Sequence, residues 1–197
     1  MKNLIQVGVN YGDDEYASHN KSGSYDFILL VDANPLCIEH ARENYKNIPN
    51  IKFQVSAIAG DNRDAIFFIP LHGHLKGEGS EHSSLNRKHL IKHNYDEAFF
   101  KEINMKCKTI ADLMDENNLT ELETLIIDVE GVDYEVMIGI DLIKYKFEQI
   151  IFEDFHMTTI ELTEIEQKFK KAGYSNVRKI GKYDSTITLK NEIRRPN

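Results

Sequence analysis

The sequence is poor in cysteine and contains no long apolar segment. Its two cysteines among 197 residues, Cys37 and Cys107, form neither a CxxC pair nor a disulfide framework. This usage is typical of a reducing compartment. No apolar run approaches the roughly 20 residues that a membrane-spanning helix needs, and residues 4–9 are too short for the apolar core of a signal peptide. We therefore expect a cytoplasmic protein without a membrane partner.

The chain also lacks internal repeats, low-complexity tracts and linkers rich in proline or glycine. We therefore place no domain boundary and expect a single domain over residues 1–197, a length that suffices for a hydrophobic core. Hydrophobic residues make up 41% and charged residues 28% of the chain, as in ordinary soluble proteins. The formal net charge of −8 argues against a protein that wraps the phosphate backbone of nucleic acid.

Short apolar runs of the kind found in buried strands recur along the chain. They are residues 4–9, 27–31, 51–55, 65–69, 124–127 and 149–152. Between them, Asn34 with Pro35 can begin one helix. Thr109 with Asp112 forms a capping box at the start of another, and the last helix ends at Gly173. Strands that alternate with helices predict an α/β fold, with a doubly wound, mostly parallel sheet covered on both faces.

Two further segments complete the predicted topology. Residues 176–180 and 186–190 are separated by a short turn and predict a C-terminal antiparallel hairpin. Residues 71–94, rich in glycine, histidine and serine, predict a loop, which we expect to be a mobile substrate lid. Sheets of this kind bind ligands beyond the carboxyl ends of their strands. The candidate site residues are therefore those that follow the apolar runs.

Glycines and one acidic residue follow the first two predicted strands. Gly8, Asn10 and Gly12 lie in the turn after the first strand, where glycine lets the backbone approach a ligand closely. Asp32 ends the second strand, and a carboxylate there can accept hydrogen bonds from both ribose hydroxyls of an adenosine-containing cofactor. The fingerprint GxGxxG is absent, and the acidic residues 13–15 would repel a pyrophosphate. The pattern favours a cofactor with an ammonium group and no phosphate.

Further cofactor contacts are expected from residues near these strand ends. Ser56 and Ala57 follow the third strand and would flank the adenine, while Ala33 adjoins the predicted ribose ligand. Simpler interpretations remain open for each feature. Short glycine turns are commonly only turns, and Asp32 could instead help to cap the helix that begins near Pro35.

The chain resembles the FkbM family of S-adenosylmethionine-dependent methyltransferases over about residues 4–156. Residues 125–131, Leu-Ile-Ile-Asp-Val-Glu-Gly, and residues 134–139 are similar to the family's central motif. Residues 31–35, 83–85 and 107–113 resemble its second-strand motif, its serine motif and the segment before the central motif. The resemblance implies the seven-stranded, Rossmann-like sheet of class I methyltransferases and S-adenosylmethionine as the cofactor. If residues 71–94 form the predicted lid, Ser83 and Ser84 could reach the cofactor or substrate.

Two differences from the family accompany this resemblance. The family commonly has glutamate where Asp32 stands and alanine where Val9 stands. The chain also begins almost at its first strand. We therefore expect it to lack the N-terminal extension that often helps to cover the substrate in such enzymes.

Acidic side chains and one histidine follow the last two parallel strands of the prediction. Asp128, Glu153 and His156 are the predicted catalytic residues, because neighbouring strands would bring them to one edge of the sheet. An alcohol acceptor benefits from a base, and histidine suits base chemistry near neutral pH. A structural imidazole is the alternative for His156. Asp128 is also expected to contact the cofactor.

A metal ion is a second possibility at this edge. Asp128, Glu153 and Asp154 supply oxygen ligands with which a divalent ion such as magnesium could hold the acceptor oxygen. The first expectation is a site without metal. His72, His74 and His82 invite a zinc interpretation, but histidines without a second spaced pair of ligands are unspecific.

The resemblance favours transfer of a methyl group to a hydroxyl of a sugar, glycan or other small molecule. Nucleic acid is not an expected partner, and a homo-oligomer is compatible with the sequence. Two alternatives stay open: an NAD-dependent oxidoreductase on a similar sheet and a non-catalytic module that binds a nucleoside cofactor. The first predicts GxGxxG, and the second predicts loss of the strand-end residues. Gly8, Gly12, Asp32 and Asp128 are all present.

Overall fold

The fold is built around a seven-stranded, mostly parallel sheet. The computed structural model describes residues 2–13, 16–21, 25–71 and 82–190. The strands are β1 Asn3–Val7, β2 Phe27–Asp32, β3 Ile51–Val55, β4 Asp64–Pro70, β5 Phe100–Lys106, β6 Glu121–Ile127, β7 Lys146–Glu153, β8 Arg178–Lys179 and β9 Asp184–Thr188. The helices are α1 Ala17–Asn20, α2 Pro35–Asn44, α3 Arg87–Lys92, α4 Ile110–Glu116, α5 Asp133–Gly139 and α6 Thr159–Lys171, with a 3₁₀ turn at Glu97–Phe99.

The strand order of the main sheet is β3-β2-β1-β6-β7-β9-β8. Strand β1 pairs in parallel with both β2 and β6, so the chain reverses its direction of winding between them. Strand β9 is antiparallel to β7 and forms a hairpin with β8. The predicted Rossmann-like sheet with its C-terminal antiparallel hairpin is therefore confirmed. A sheet of this order places its ligand crevice at the carboxyl ends of β1 and β6.

Both faces of the sheet are covered, because alternate residues of the central strands point to opposite sides. Ile5 and Leu125 belong to the core beneath α4, α5 and α6. Leu4 and Ile126, their neighbours along the strands, belong to the core on the other face, against α2. These side chains are fully buried, which explains the continuous apolar runs of the sequence.

The predicted helix starts are confirmed by their capping contacts. The side chain of Asn34 accepts a hydrogen bond from the backbone N–H of Leu36, with Pro35 at the first helical position. Thr109 and Asp112 form the predicted capping box of α4. Helix α6 ends just before Gly173, which adopts a φ of 89°.

Two predictions about the middle of the chain need correction. Strand β4 does not join the main sheet, because it pairs along its length with β5, an antiparallel partner that the sequence did not predict. Residues 71–94 are not a continuous loop, since α3 occupies Arg87–Lys92 and is capped by Asn86. Residues 72–81, with His72 and His74, lie outside the described residues, so the predicted lid is not described there. Among the described residues, no helix has the length and hydropathy that a membrane span requires.

Candidate active site

A cavity of about 520 Å³ lies at the carboxyl ends of the parallel strands. Its lining includes Gly8 after β1, Asp32 at the end of β2, Asp128 after β6 and Glu153 at the end of β7. The volume lies within the usual range for small-molecule pockets, about 300–1,000 Å³. This is the crevice that the strand order predicts.

The turn after β1 depends on glycine because three strand ends meet there. Gly8 has a φ of 77°, and a Cβ at this position would lie 1.5 Å from the carbonyl oxygen of Asp128. The backbone N–H of Gly8 also donates to the carbonyl oxygen of Val31 at 2.8 Å. The absence of a side chain therefore lets the ends of β1, β2 and β6 come together at the floor of the cavity.

Asp32 is held in a fixed orientation by the turns around it. Its Oδ2 accepts from the backbone N–H of Asn10 at 2.9 Å, and its Oδ1 accepts from that of Asn34 at 2.8 Å. Burial raises the pKa of Asp32 to about 6, against the lowering effect of these hydrogen bonds. Asn34, not Asp32, caps α2. Asp32 lines the cavity, and a carboxylate has about four acceptor sites, so it can also accept from a ligand hydroxyl.

Most of the predicted cofactor contacts line the cavity. Gly8, Asn10, Asp32, Ala33, Ser56 and Asp128 all do so. Lining residues on the same side that the sequence did not single out for a cofactor contact are Asp13, Cys37, Ile58, Phe67 and Leu85. Ile58, Phe67 and Leu85 are apolar, and their sequence pattern indicates only core packing.

Three predicted cofactor contacts, Gly12, Ala57 and Ser84, lie outside the cavity lining. Gly12 packs against Tyr45, where an added Cβ would come within 2.6 Å of the ring. Ala57 is buried, and its carbonyl oxygen accepts from Lys108 in a bridge beside β4 and β5. Both residues therefore contribute to packing, and neither is part of the cavity lining.

Ser84 is likewise structural, whereas its neighbour Ser83 lines the cavity. The Ser84 hydroxyl is fully buried, donates to the carbonyl oxygen of Glu130 at 2.5 Å and accepts from the N–H of Asn86 at 2.8 Å. These contacts tie the segment before α3 to the turn after β6. The predicted role for Ser84 in ligand contact is replaced by this link.

The turn after β6 carries the residues of the central motif. Glu130 and Gly131 have φ values of 55° and 86°. Asp133 stabilises this turn by accepting from the N–H groups of Val129 at 2.8 Å and Gly131 at 3.1 Å. Burial raises the pKa of Asp133 to about 6. The turn directs Asp128, Val129 and Glu130 to the cavity lining.

The three predicted catalytic residues meet on one side of the cavity. One ligand atom each from Asp128, Asp133 and Glu153 lie within 4.8 Å of one another, and the same holds for Glu130, Glu153 and His156. Nε2 of His156 is 3.9 Å from Oε1 of Glu153. The expectation that β6 and β7 bring these side chains together matches this geometry.

The Glu153–His156 pair is uncharged near neutral pH. Burial raises the pKa of Glu153 to about 9, and the negative charges of Asp133 and Glu130 add to this effect. Burial also lowers the pKa of His156 to about 4, with a further contribution from His89. Glu153 is therefore a hydrogen-bond donor at neutral pH, and His156 is a weaker base than the sequence predicts.

Asp154 does not join the other predicted metal ligands. It is buried and accepts hydrogen bonds from the Ser185 hydroxyl at 2.6 Å and from the Lys179 ammonium group. Adjacent residues of an extended chain point to opposite sides, so Glu153 and Asp154 cannot face one cavity together. The predicted ligand set Asp128, Glu153 and Asp154 is therefore not assembled.

A group of histidines that the sequence did not predict lies beside Glu153. His89 and His93 are one helical turn apart on α3 and its C-cap, and their ring centroids are 4.6 Å apart. The His156 ring lies 4.5 Å from the His89 ring. Burial lowers the pKa of His89 and of His93 to about 4. The i,i+4 spacing would have revealed the pair if residues 87–92 had been assigned to a helix.

His82 borders this group but has its own partner. Its ring lies 4.4 Å from the ring of His93, and its Nδ1 is 2.9 Å from the hydroxyl of Tyr95. The zinc interpretation based on His72, His74 and His82 falls partly outside the described residues. The histidines that pack near His82 come from other parts of the sequence.

Two aromatic side chains stand at the cavity lining with much of their surface in solvent. Phe155 is 53% exposed and Tyr183 is 38% exposed. Their ring centroids are 4.9 Å apart in a T-shaped arrangement. Phe155 follows β7 and Tyr183 precedes β9. Nothing in the sequence around either residue indicates a binding role.

The family profile described as the methyltransferase FkbM domain matches residues 6–175 of this chain. The chain belongs to the FkbM methyltransferase family. The match covers the turn after β1, the Asp32 strand end and the central motif, and the resemblance inferred from the sequence is confirmed. Membership of this family favours methyl transfer over the nicotinamide-dependent alternative. A search of curated protein sequences finds no significant match to this chain.

Solved structures share the fold of this FkbM-family chain at low sequence identity. Methyltransferase FkbM from Methylobacillus flagellatus KT superposes with a TM-score of 0.57 and 8% identity, over 95% of this chain and 43% of that one. The METTL16 MTase domain superposes with a TM-score of 0.53 and 9% identity, over 97% of this chain and 61% of that one. The chain spans less than two-thirds of the length of either structure, and these likenesses confirm its class I methyltransferase fold.

Proposed function

We propose that this protein is an S-adenosylmethionine-dependent O-methyltransferase that acts on a hydroxyl of a sugar, glycan or other small molecule. The observation that carries the proposal is the arrangement of the cavity in a chain of the FkbM family. A ribose-binding carboxylate, Asp32, lies on one side, and the acidic and imidazole groups of Asp128, Glu153 and His156 lie on another.

The cofactor side of the cavity suits S-adenosylmethionine. Both oxygens of Asp32 are oriented by backbone N–H groups and can accept from the two ribose hydroxyls. Ser56 and Ile58 offer a polar and an apolar contact for the adenine. Asp13 supplies a carboxylate for the ammonium group of the methionine part. No cluster of cations that would favour a pyrophosphate lines the described part of the cavity.

Methyl transfer is an in-line displacement, so the main task of the protein is to position the acceptor oxygen. As the oxygen–carbon bond forms, the carbon–sulfur bond breaks, and its electron pair remains on the sulfur of S-adenosylhomocysteine. The hydroxyl proton passes to Asp128, because Glu153 is protonated near neutral pH and His156 is a weak base. Glu153 and His156 position the acceptor by hydrogen bonds.

The exposed aromatic pair supports a carbohydrate acceptor. Phe155 and Tyr183 place their aromatic rings at the cavity. The apolar face of a sugar can pack against these rings while its hydroxyls reach Glu153. The carboxylates of Asp13, Asp128 and Glu130 also line the cavity and would repel a polyanionic substrate. An uncharged sugar hydroxyl fits both features.

Transfer of a labelled methyl group from S-adenosylmethionine to a panel of sugars, nucleotide sugars and glycans tests this function. We expect a methyl ether on a hydroxyl, with one S-adenosylhomocysteine formed per methyl transferred. Asp128→Asn should lower kcat by about 100-fold or more, the usual contribution of a general base. Labelling of RNA, or of an amino group, in place of a hydroxyl would overturn the proposed acceptor class.

A further inference from the structure

We propose that His89, His93 and His156 form a binding site for one divalent transition-metal ion of the zinc class. These three residues are called the histidine cluster below. The site is open toward the cavity, since His93 and His156 both contribute to its lining. Zinc sites with three protein ligands and one open position are typical of metal ions that act on a bound oxygen.

The geometry of the histidine cluster is close to that of a metal site. One ring nitrogen from each of His89, His93 and His156 lies within 4.8 Å of the other two. Ligand nitrogens around a tetrahedral zinc, each about 2.1 Å from the ion, are about 3.4 Å apart. Movement of each ring by roughly 1 Å therefore suffices to close the cluster on an ion.

Buried polar atoms at the histidine cluster have unmet bonding capacity. Nε2 of His93 and Oε2 of Glu153 are buried and make no hydrogen bond within the described residues. Nε2 of His89 lies 2.9 Å from Oε2 of Glu130, but in a direction that gives no hydrogen bond. A buried polar atom without a partner destabilises the fold. A bound cation would satisfy the imidazole nitrogens and an adjacent carboxylate.

The backbone around the cluster is shaped to admit these rings. His89 and His93 face the same side of α3 because they are four residues apart. A Cβ at residue 131 would lie 2.7 Å from Nδ1 of His89, so Gly131 leaves the space that this ring occupies. The His89 side chain is only 2% exposed, which fixes its position before any ion arrives.

The charges around the cluster suit a divalent cation. Glu130 places a carboxylate oxygen within 4.8 Å of a His156 ligand atom, and the carboxyl group of Glu153 lies equally close. Lys92 opposes them, with its Nζ 3.4 Å from Nδ1 of His156. The Lys92 side chain is exposed and can turn into solvent, whereas Glu130 belongs to the turn after β6 and Glu153 to the end of β7. Imidazole ligands favour zinc over magnesium.

The role of the ion follows from its position and rests on the proposed function. An ion on the histidine cluster would lie next to Glu153 at the acceptor side of the cavity. The ion would replace His156 in holding the acceptor hydroxyl and would lower the pKa of that hydroxyl, while Asp128 still takes the proton. Binding of the ion itself is independent of whether the acceptor is a sugar.

Metal binding can be measured directly on tag-free protein that has been stripped with a chelator. We expect zinc or cobalt(II) to bind with one ion per chain, with a dissociation constant of micromolar or lower, and cobalt(II) to show the visible spectrum of a tetrahedral site. His93→Phe keeps the ring packing and should weaken binding by more than about 100-fold, since even second-shell losses cost about 10- to 100-fold. His40→Ala removes an exposed histidine of α2 and serves as the matched control.

Two results would overturn the proposal: no saturable binding to wild-type protein, or equal affinity in wild type and His93→Phe. If circular dichroism shows that His93→Phe is misfolded, His156→Phe replaces it in the same titration. S-adenosylmethionine titrated into the chelated samples separates this proposal from the proposed function. Failure of cofactor binding with intact zinc binding contradicts the function alone, and the reverse result contradicts the metal site alone.

Discussion

The backbone N–H of Asn10 donates to Oδ2 of Asp32 at 2.9 Å and so joins the turns after β1 and β2. A second N–H, from Asn34, donates to Oδ1 at 2.8 Å. The carboxylate is therefore oriented before a cofactor arrives. Such preorganisation lowers the entropy lost on binding. It also makes Asp32 the residue on which cofactor recognition depends most directly.

Substitution Asp32→Asn should weaken S-adenosylmethionine binding by roughly 10- to 100-fold. The change leaves a single acceptor oxygen and removes the charge, and hydrogen bonds to charged groups contribute about 1.5–3 kcal/mol. Asp26→Asn, at an exposed position just before β2, is the matched control and should bind as wild type. Calorimetric titration measures both. Equal affinity of Asp32→Asn and wild type would exclude the ribose contact.

Cofactor affinity should fall in acid because the pKa of Asp32 is raised to about 6 by burial. The ionised carboxylate accepts two hydroxyl hydrogen bonds, whereas the protonated form accepts fewer. Binding is therefore full well above this pKa and weakens as the pH falls through it, by up to about tenfold per pH unit. The dissociation constant measured from roughly pH 5 to pH 8 tests this dependence. If the dissociation constant varies with pH in wild type but not in Asp32→Asn, the pH dependence is due to Asp32.

Gly8 and Gly173 form a matched pair for testing the strand-end contact. Both have a positive φ, but an added Cβ at Gly8 would meet the Asp128 carbonyl, whereas no atom of the described residues lies within 4 Å of one at Gly173. Gly173→Ala should lower the free energy of unfolding by about 1–2 kcal/mol, the cost of the left-handed conformation. Gly8→Ala should cost more than about 4 kcal/mol, in the range of severe core defects. Urea denaturation compares them, and equal losses would refute the close approach.

The aromatic pair predicts how acceptor recognition responds to mutation. Phe155→Ala and Tyr183→Ala should each raise the KM for a sugar acceptor, by roughly 10-fold for a loss of about 1.5 kcal/mol of aromatic contact. The affinity for S-adenosylmethionine should not change. Ile143→Ala, at an almost fully exposed position after α5, is the control. An unchanged KM in both aromatic variants would remove the argument for sugar stacking.

The main sheet was predictable because its strands carry a strong local signal. The apolar runs before Asp32 and Asp128 are buried on both faces, and helix caps such as Thr109 mark where the helices begin. Strand β5 escaped prediction because many of its residues are exposed and its partner β4 is distant in sequence. Its pairing is set by tertiary contacts that local patterns do not encode.

The candidate site was predictable in its strand ends but not in its side-chain directions. Glu153 and Asp154 are adjacent carboxylates, yet only Glu153 lines the cavity, while Asp154 binds Lys179 on the other side. Likewise, Ser83 lines the cavity, whereas the Ser84 hydroxyl donates to the carbonyl oxygen of Glu130. The histidines of α3 were missed because the glycine and histidine content of residues 71–94 favours a loop. A helix inside that segment changes which residues share a face.

The central claim is that the cavity at the carboxyl ends of β1, β2 and β6 binds S-adenosylmethionine. Calorimetric titration of the purified protein with S-adenosylmethionine, S-adenosylhomocysteine and NAD tests it most directly. The account predicts saturable, micromolar binding of the first two and none of NAD. Binding of NAD instead, or no binding of either sulfur compound in the presence and absence of zinc, would contradict it.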